Sequence, residues 1–116
     1  MKHWAQAIDL VDDPALIREY EQWHRAVWPE VVDALGRIGI LQMRIYRSGT
    51  RLFMTFSTPD GFDPARDYQS YAADPRCQEW DGLMRKYQRP VPAAKPGEWW
   101  SPMQCVFEIN RQETTE

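Results

Sequence analysis

Tyr20 and His24 stand four residues apart in the stretch Glu19-Tyr20-Glu21-Gln22-Trp23-His24-Arg25-Ala26-Val27-Trp28-Pro29. An imidazole titrates near neutral pH and can take or give a proton under working conditions, while a phenol can donate one. On a helix, side chains at i and i+4 share a face. The spacing therefore lets a base and an acid meet the same small ligand. Trp28 adds an indole of the kind that covers the C–H face of a ring-shaped ligand while polar groups fix its hydroxyls. Without further context, a His beside an apolar helical stripe is a packed structural residue. Tyr20 by the same logic is core with a hydrogen-bonded tip, and Trp23 reads as core.

The elements that must carry these residues are legible from periodicity. Trp4, Gln6, Ile8 and Leu10 alternate with Ala5, Ala7 and Asp9, a first strand over residues 4–10. Asp12-Asp13-Pro14 reads as a helix N-cap followed by Pro in the first turn. Leu16, Tyr20, Trp23 and Val27 then recur at helical spacing, with Ile17 and His24 beside them. Pro29 interrupts that helix near Val27-Trp28 and starts a second piece, which ends around Gly36-Arg37-Ile38-Gly39.

Leu41–Tyr46 and Leu52–Ser57 alternate about the turn Ser48-Gly49-Thr50, an antiparallel hairpin. Asp63-Pro64 and Asp74-Pro75 repeat the cap signal, the second before a stripe of Trp80, Leu83, Met84 and Tyr87. Residues 89–98 are a proline-containing loop closed by Trp99-Trp100. Met103, Cys105, Phe107 and Ile109 alternate as a last strand. The order β-α-β-β-α-β predicts a ferredoxin-like α+β fold, a four-stranded antiparallel sheet with helices on one face. The open face needs cover, and a symmetric partner supplies it, so a homodimer is expected.

Composition narrows the function classes. The chain has 116 residues, suited to one domain over residues 1–110 with a polar tail over 111–116. Six Trp, five Tyr and four Phe supply a core. Fourteen basic against seventeen acidic residues leave a net charge of −3, which disfavours nucleic acid as a partner. No apolar run is long enough to span a membrane, and no signal-peptide core follows the N-terminus, which points to the cytoplasm. Cys77 and Cys105 read as reduced, buried thiols, with one disulfide between them left open. His3 reads as a surface residue. Two distant histidines disfavour a metal site, and no phosphate-binding or nucleophile-elbow motif is present.

The stretch Tyr20-x3-His24-x3-Trp28-Pro29 resembles the L-rhamnose mutarotase family. So do Arg44-Ile45-Tyr46, Leu52-Phe53-Met54, Cys77-Gln78-Glu79-Trp80 and the closing Met103-Gln104-Cys105-Val106-Phe107, in the right order over residues 4–109. The resemblance implies a dimeric α+β barrel that interconverts the α and β anomers of an L-deoxyhexose, L-rhamnose or L-fucose, without a cofactor.

It also implies that Tyr20 and His24 line the sugar pocket, with His24 moving a proton. Trp28, Tyr46, Trp80, Asp81, Trp99 and Trp100 are the expected substrate-binding residues. Asp81 stands where the rhamnose enzymes carry a second Trp, and the Trp99-Trp100 segment departs from the family loop. Both differences bear on which sugar is chosen, and Asp81 favours L-fucose or another sugar over L-rhamnose. Taken alone, Asp81 reads as a solvated helix residue. The competing readings are a small monooxygenase relative of the same fold and a non-catalytic sugar-binding module.

Overall fold

The computed structural model describes residues 1–111, so of the tail expected over residues 111–116 all but Arg111 lies outside the described residues. Strand β1 (Lys2–Leu10) is followed by helices α1 (Pro14–Trp23) and α2 (Pro29–Ile38), then the hairpin β2 (Gln42–Ser48) and β3 (Arg51–Thr58). Short helices α3 (Pro64–Asp67) and α4 (Gln69–Ala73) lead into α5 (Pro75–Arg85). Two short strands close the sheet, β4 (Gln88–Arg89) and β5 (Ser101–Pro102).

The three Asp-Pro signals work alike. Asp13, Asp63 and Asp74 each sit in extended backbone and accept a hydrogen bond from the amide two residues on, with Pro as the first helical residue. The aspartate satisfies an amide the helix leaves unpaired, and Pro lacks the donor that would be orphaned there.

The strand order β2-β3-β1-β4, all antiparallel, is the ferredoxin-like order. Pairing of Ile8 with Leu52, and of Leu52 with Arg47, defines one face, which carries Gln6, Ile8, Leu10, Leu52, Met54, Ile45 and Arg47. The helices pack there. Ile8, Leu10 and Leu52 meet Tyr20, Val31, Ala34, Cys77, Trp80 and Met84 in one core. The opposite face carries Ala5, Ala7, Asp9, Phe53 and Tyr46. On it, the Asp9 carboxylate holds the Arg51 guanidinium at 2.8 Å.

Three expectations are corrected. The first helix stops at Trp23 rather than near Val27, so His24 is its C-cap residue. Arg25 and Ala26 turn back on carbonyls three residues earlier, and the extended backbone that Pro29 imposes on Trp28 completes the elbow.

The second correction concerns the fourth sheet position, which is shared. Gln88 and Arg89 lie beside Leu10 and Asp9, and Ser101 and Pro102 lie beside Ala7 and Gln6. A strand running straight on from Arg89 would set residue 91 opposite Ala7; instead the chain makes an excursion over residues 90–100 and rejoins at Ser101. Third, residues 103–109 form no strand. After the Met103 amide bonds to the Ala5 carbonyl the segment leaves the sheet, with Val106 90% and Phe107 78% exposed. Cys105 is exposed there too, while Cys77 is buried, and both thiols are free.

Gly39 ends α2 at φ +116°, and a Cβ there would lie 3.3 Å from Phe62 Cδ1. Gly36, inside α2, has open space around its Cβ position. Gly39→Ala is expected to lower unfolding free energy by about 1–2 kcal/mol, and Gly36→Ala to raise it by about 0.5–1 kcal/mol. Urea titration of both variants checks the opposite signs.

Candidate active site

Tyr20 lies on the inner face of α1 and is 3% exposed. Its carbonyl accepts from the His24 backbone amide at 3.3 Å and lies 3.0 Å from His24 Nδ1. A carbonyl oxygen only accepts, so Nδ1 carries the hydrogen and Nε2 keeps its lone pair. The structure thus gives His24 the tautomer of a base. Burial pushes its pKa below the ordinary 6.5, partly offset by the bond to the Tyr20 carbonyl, and the ring is neutral at pH 7.

The Tyr20 and His24 rings lie 4.4 Å apart, tilted by 38°. Burial raises the Tyr20 phenol to about 12, against a lowering contribution from Gln88, so it keeps its proton. Both residues line a cavity of about 340 Å3 between α1 and the β2-β3 hairpin. Ile45 and Leu52 form its apolar floor, and Glu21, Arg25 and Arg47 supply polar walls. Arg47 is braced, with Nε donating to Glu21 at 2.8 Å and a second nitrogen to the Gly49 carbonyl at 2.8 Å. The volume falls at the lower end of the roughly 300–1,000 Å3 typical of small-molecule sites.

The remaining expected residues are placed as follows. Trp80 is buried behind His24, with ring centres 5.5 Å apart, and also meets Trp23 and Trp28 edge-on. It backs the imidazole rather than lining the cavity. Trp28 sits at the elbow under the Arg76 guanidinium, 3.8 Å from its ring centre. Trp23, expected in the core, is 37% exposed, its indole donating to the Tyr87 hydroxyl, which in turn donates to Glu19. Trp99 reaches Tyr20 indirectly, its indole donating to Gln88. Trp100 packs against the edge of the core.

Asp81 is half-buried and accepts from the Tyr71 hydroxyl at 3.0 Å, and burial raises its pKa. It is therefore not a solvated residue, and it is not among the residues lining the His24 cavity. Tyr46 is not brought to this cavity. It alternates with Ile45 and so lies on the opposite sheet face, 54% exposed.

Glu21, Arg25, Arg47 and Gln88 were not anticipated. The first three carried a usable signal. Glu21 and Arg25 flank the two catalytic candidates, and Arg47 shares the parity of Ile45. Gln88 carried none, since its partners are distant in the chain. Among the described residues no group of three or more His, Cys, Asp or Glu is arranged to hold a metal ion, and no helix is long and apolar enough to cross a membrane.

Comparison with known proteins gives the arrangement a context. The family model described as L-rhamnose mutarotase matches residues 3–109. A UPF0734 protein of Dictyostelium discoideum is 47% identical, over 94% of this chain and 90% of its own length. An L-fucose mutarotase of Xanthomonas campestris is 42% identical, over 95% and 90%. The crystal structure of an L-rhamnose mutarotase from Formosa agariphila superposes with a TM-score of 0.71 at 17% identity, covering 95% of this chain and all of that one, a likeness of fold. The match spans almost the whole chain, and the chain belongs to the L-rhamnose mutarotase family.

Proposed function

We propose that the protein interconverts the α and β anomers of an L-deoxyhexose at the Tyr20-His24 cavity by cofactor-free ring opening. As a member of its family it is an isomerase acting on a sugar. The observation that carries the mechanism is the bond between His24 Nδ1 and the Tyr20 carbonyl, which leaves Nε2 as a base beside the Tyr20 phenol.

The two exchanging oxygens of a pyranose, O1 and the ring oxygen O5, are bonded to the same carbon, so acid and base must stand close together. His24 Nε2 takes the O1 proton, the C1–O5 bond breaks to give the aldehyde, and Tyr20 gives its proton to O5. After rotation about C1–C2 the steps reverse. The imidazolium returns its proton to the aldehyde oxygen as O5 attacks the other face, and the phenolate recovers the O5 proton. No electrons leave the system, and both groups end as they began.

The long likeness to an L-fucose mutarotase supports L-fucose as the preferred sugar. The hydroxyls that distinguish it from L-rhamnose then fall to Glu21, Arg25 and Arg47, because hydrogen-bonding groups discriminate hydroxyl configuration where apolar contact does not. Residues 1–110 act as one domain, and the assembly is a homodimer. Supporting this are the exposed apolar residues Val106, Phe107 and Ile109 and the hydrogen-bonding edge of β2. A second cavity beside Met103, on the sheet face away from His24, supports the same reading. The two free thiols support a cytoplasmic setting.

Exchange NMR on free sugars tests the activity. The protein is expected to speed α/β interconversion of L-fucose more than of L-rhamnose, whereas a binding module would only broaden lines. His24→Ala is expected to lower kcat/KM by about 10²–10⁴-fold with the fold intact by circular dichroism. Unchanged exchange would remove His24 from the mechanism.

The pH dependence follows from the lowered His24 pKa. Activity is lost as pH falls through that pKa, with a midpoint below 6.5, because protonation removes the base. The unfolded chain binds the His24 proton more readily, so this residue's contribution to stability also declines as pH drops below about 6.5. Sedimentation is expected to give twice the 13.7 kDa chain mass, and truncation after Pro102 to give the monomer.

A further inference from the structure

Gln88, 7% exposed on β4, stands between the two halves of the fold that meet at Tyr20. Its Oε1 accepts from Trp99 Nε1 at 2.8 Å, and its Nε2 donates to the Tyr20 hydroxyl at 3.0 Å. An indole nitrogen is a donor only, so the atom of Gln88 facing it must be the carbonyl oxygen. The amide nitrogen is then turned to Tyr20, and it too only donates. The phenol oxygen must accept. Its own hydrogen cannot be spent on Gln88 and remains for another acceptor.

Tyr20 and His24 both line one cavity, and a ligand bound there is the acceptor this polarity calls for. The excursion over residues 90–100 makes this possible, because it returns Trp99 to the point where the strand was left. Arg85 lies over the Trp99 ring, 4.8 Å from its centre, and helps hold the indole in place.

We propose that Trp99 and Gln88 are positioning residues which, by their hydrogen-bond polarity, hold Tyr20 as an obligate proton donor to the sugar ring oxygen. This rests on the mutarotase reading of the same site. Neither residue touches the reacting atoms. The indole sets the amide, the amide sets the phenol, and the phenol acts. Trp99 therefore serves the site from the second rank, not as a stacking surface for the sugar.

The test is the exchange rate and its pH profile in Gln88→Glu, Gln88→Met and Trp99→Phe. A carboxylate at position 88 accepts a hydrogen bond from both neighbours, so the phenol's O–H is turned to it and away from the cavity. Gln88→Glu is expected to lower kcat about 10²-fold at neutral pH with KM within about twofold, and to recover relative to the wild type at the same pH as pH falls, because a neutral carboxylic acid presents the amide's acceptor and donor pair. Gln88→Met leaves the phenol proton free and is expected to retain more activity than Gln88→Glu. Trp99→Phe lets the amide turn over and is expected to lower kcat about tenfold. Equal losses in the two Gln88 variants, or a wild-type pH profile in Gln88→Glu, would overturn the proposal. Should Gln88→Glu fail to fold, an unchanged kcat in Trp99→Phe would do the same.

The 13Cζ resonance of Tyr20 reads the polarity without turnover. It is expected to move downfield in Gln88→Glu, where the phenol donates to a carboxylate, and not in Gln88→Met. No movement overturns the positioning role even in an active enzyme. A downfield shift in a protein that accelerates no deoxyhexose overturns the mutarotase reading alone.

Discussion

The carbonyl of Tyr20 accepts twice from one residue, from the backbone amide of His24 and from its ring. A helix that continued would use that carbonyl only for its backbone ladder. Here the ladder bond is kept and the ring uses the second lone pair, so the imidazole is held over the last turn. Ring orientation and tautomer therefore come from one oxygen atom. Tyr20 and His24 line one cavity, and this bond ties their side chains through a single backbone unit. Motion of α1 carries them together.

Behind this pair, apolar packing does the holding. Trp80 takes edge contacts from His24, Trp23 and Trp28, each aromatic pair being worth about 0.5–1.5 kcal/mol beyond the area it buries. A ring held on its far side by a buried indole has little freedom to turn, which favours catalysis by a group already in place. The same burial lowers the imidazole's proton affinity, so packing and acid–base tuning share one cause.

Much of this architecture was open to reading. The three Asp-Pro caps and the hairpin follow from local chemistry, since Asp and Pro at a helix start, and Gly49 with φ +60° in a two-residue turn, need no distant partner. The four-residue spacing of Tyr20 and His24 was also local. Alternation alone sets Tyr46 on the sheet face opposite Ile45. The stop of α1 at Trp23 comes with Arg25 and Ala26 bonding to carbonyls three residues back, which periodicity does not register. Gln88 was silent because its meaning lies in Tyr20, 68 residues away, and in Trp99, which reaches it only through the excursion of the fourth strand. Residues 103–109 alternate as a strand should, yet alternation states that a segment suits a sheet without saying which edge receives it.

The divided fourth strand has a consequence for how such a site diversifies. Arg89 leaves the flank of β1 opposite Asp9, and Ser101 rejoins it opposite Ala7, so both anchor points are fixed by backbone pairing. Whatever lies between them can lengthen, shorten or change composition without altering the register of any strand. The sheet thus fixes the two ends of this segment and leaves its length and composition free, while the bond from Trp99 to Gln88 ties its far end back to the core beside Tyr20.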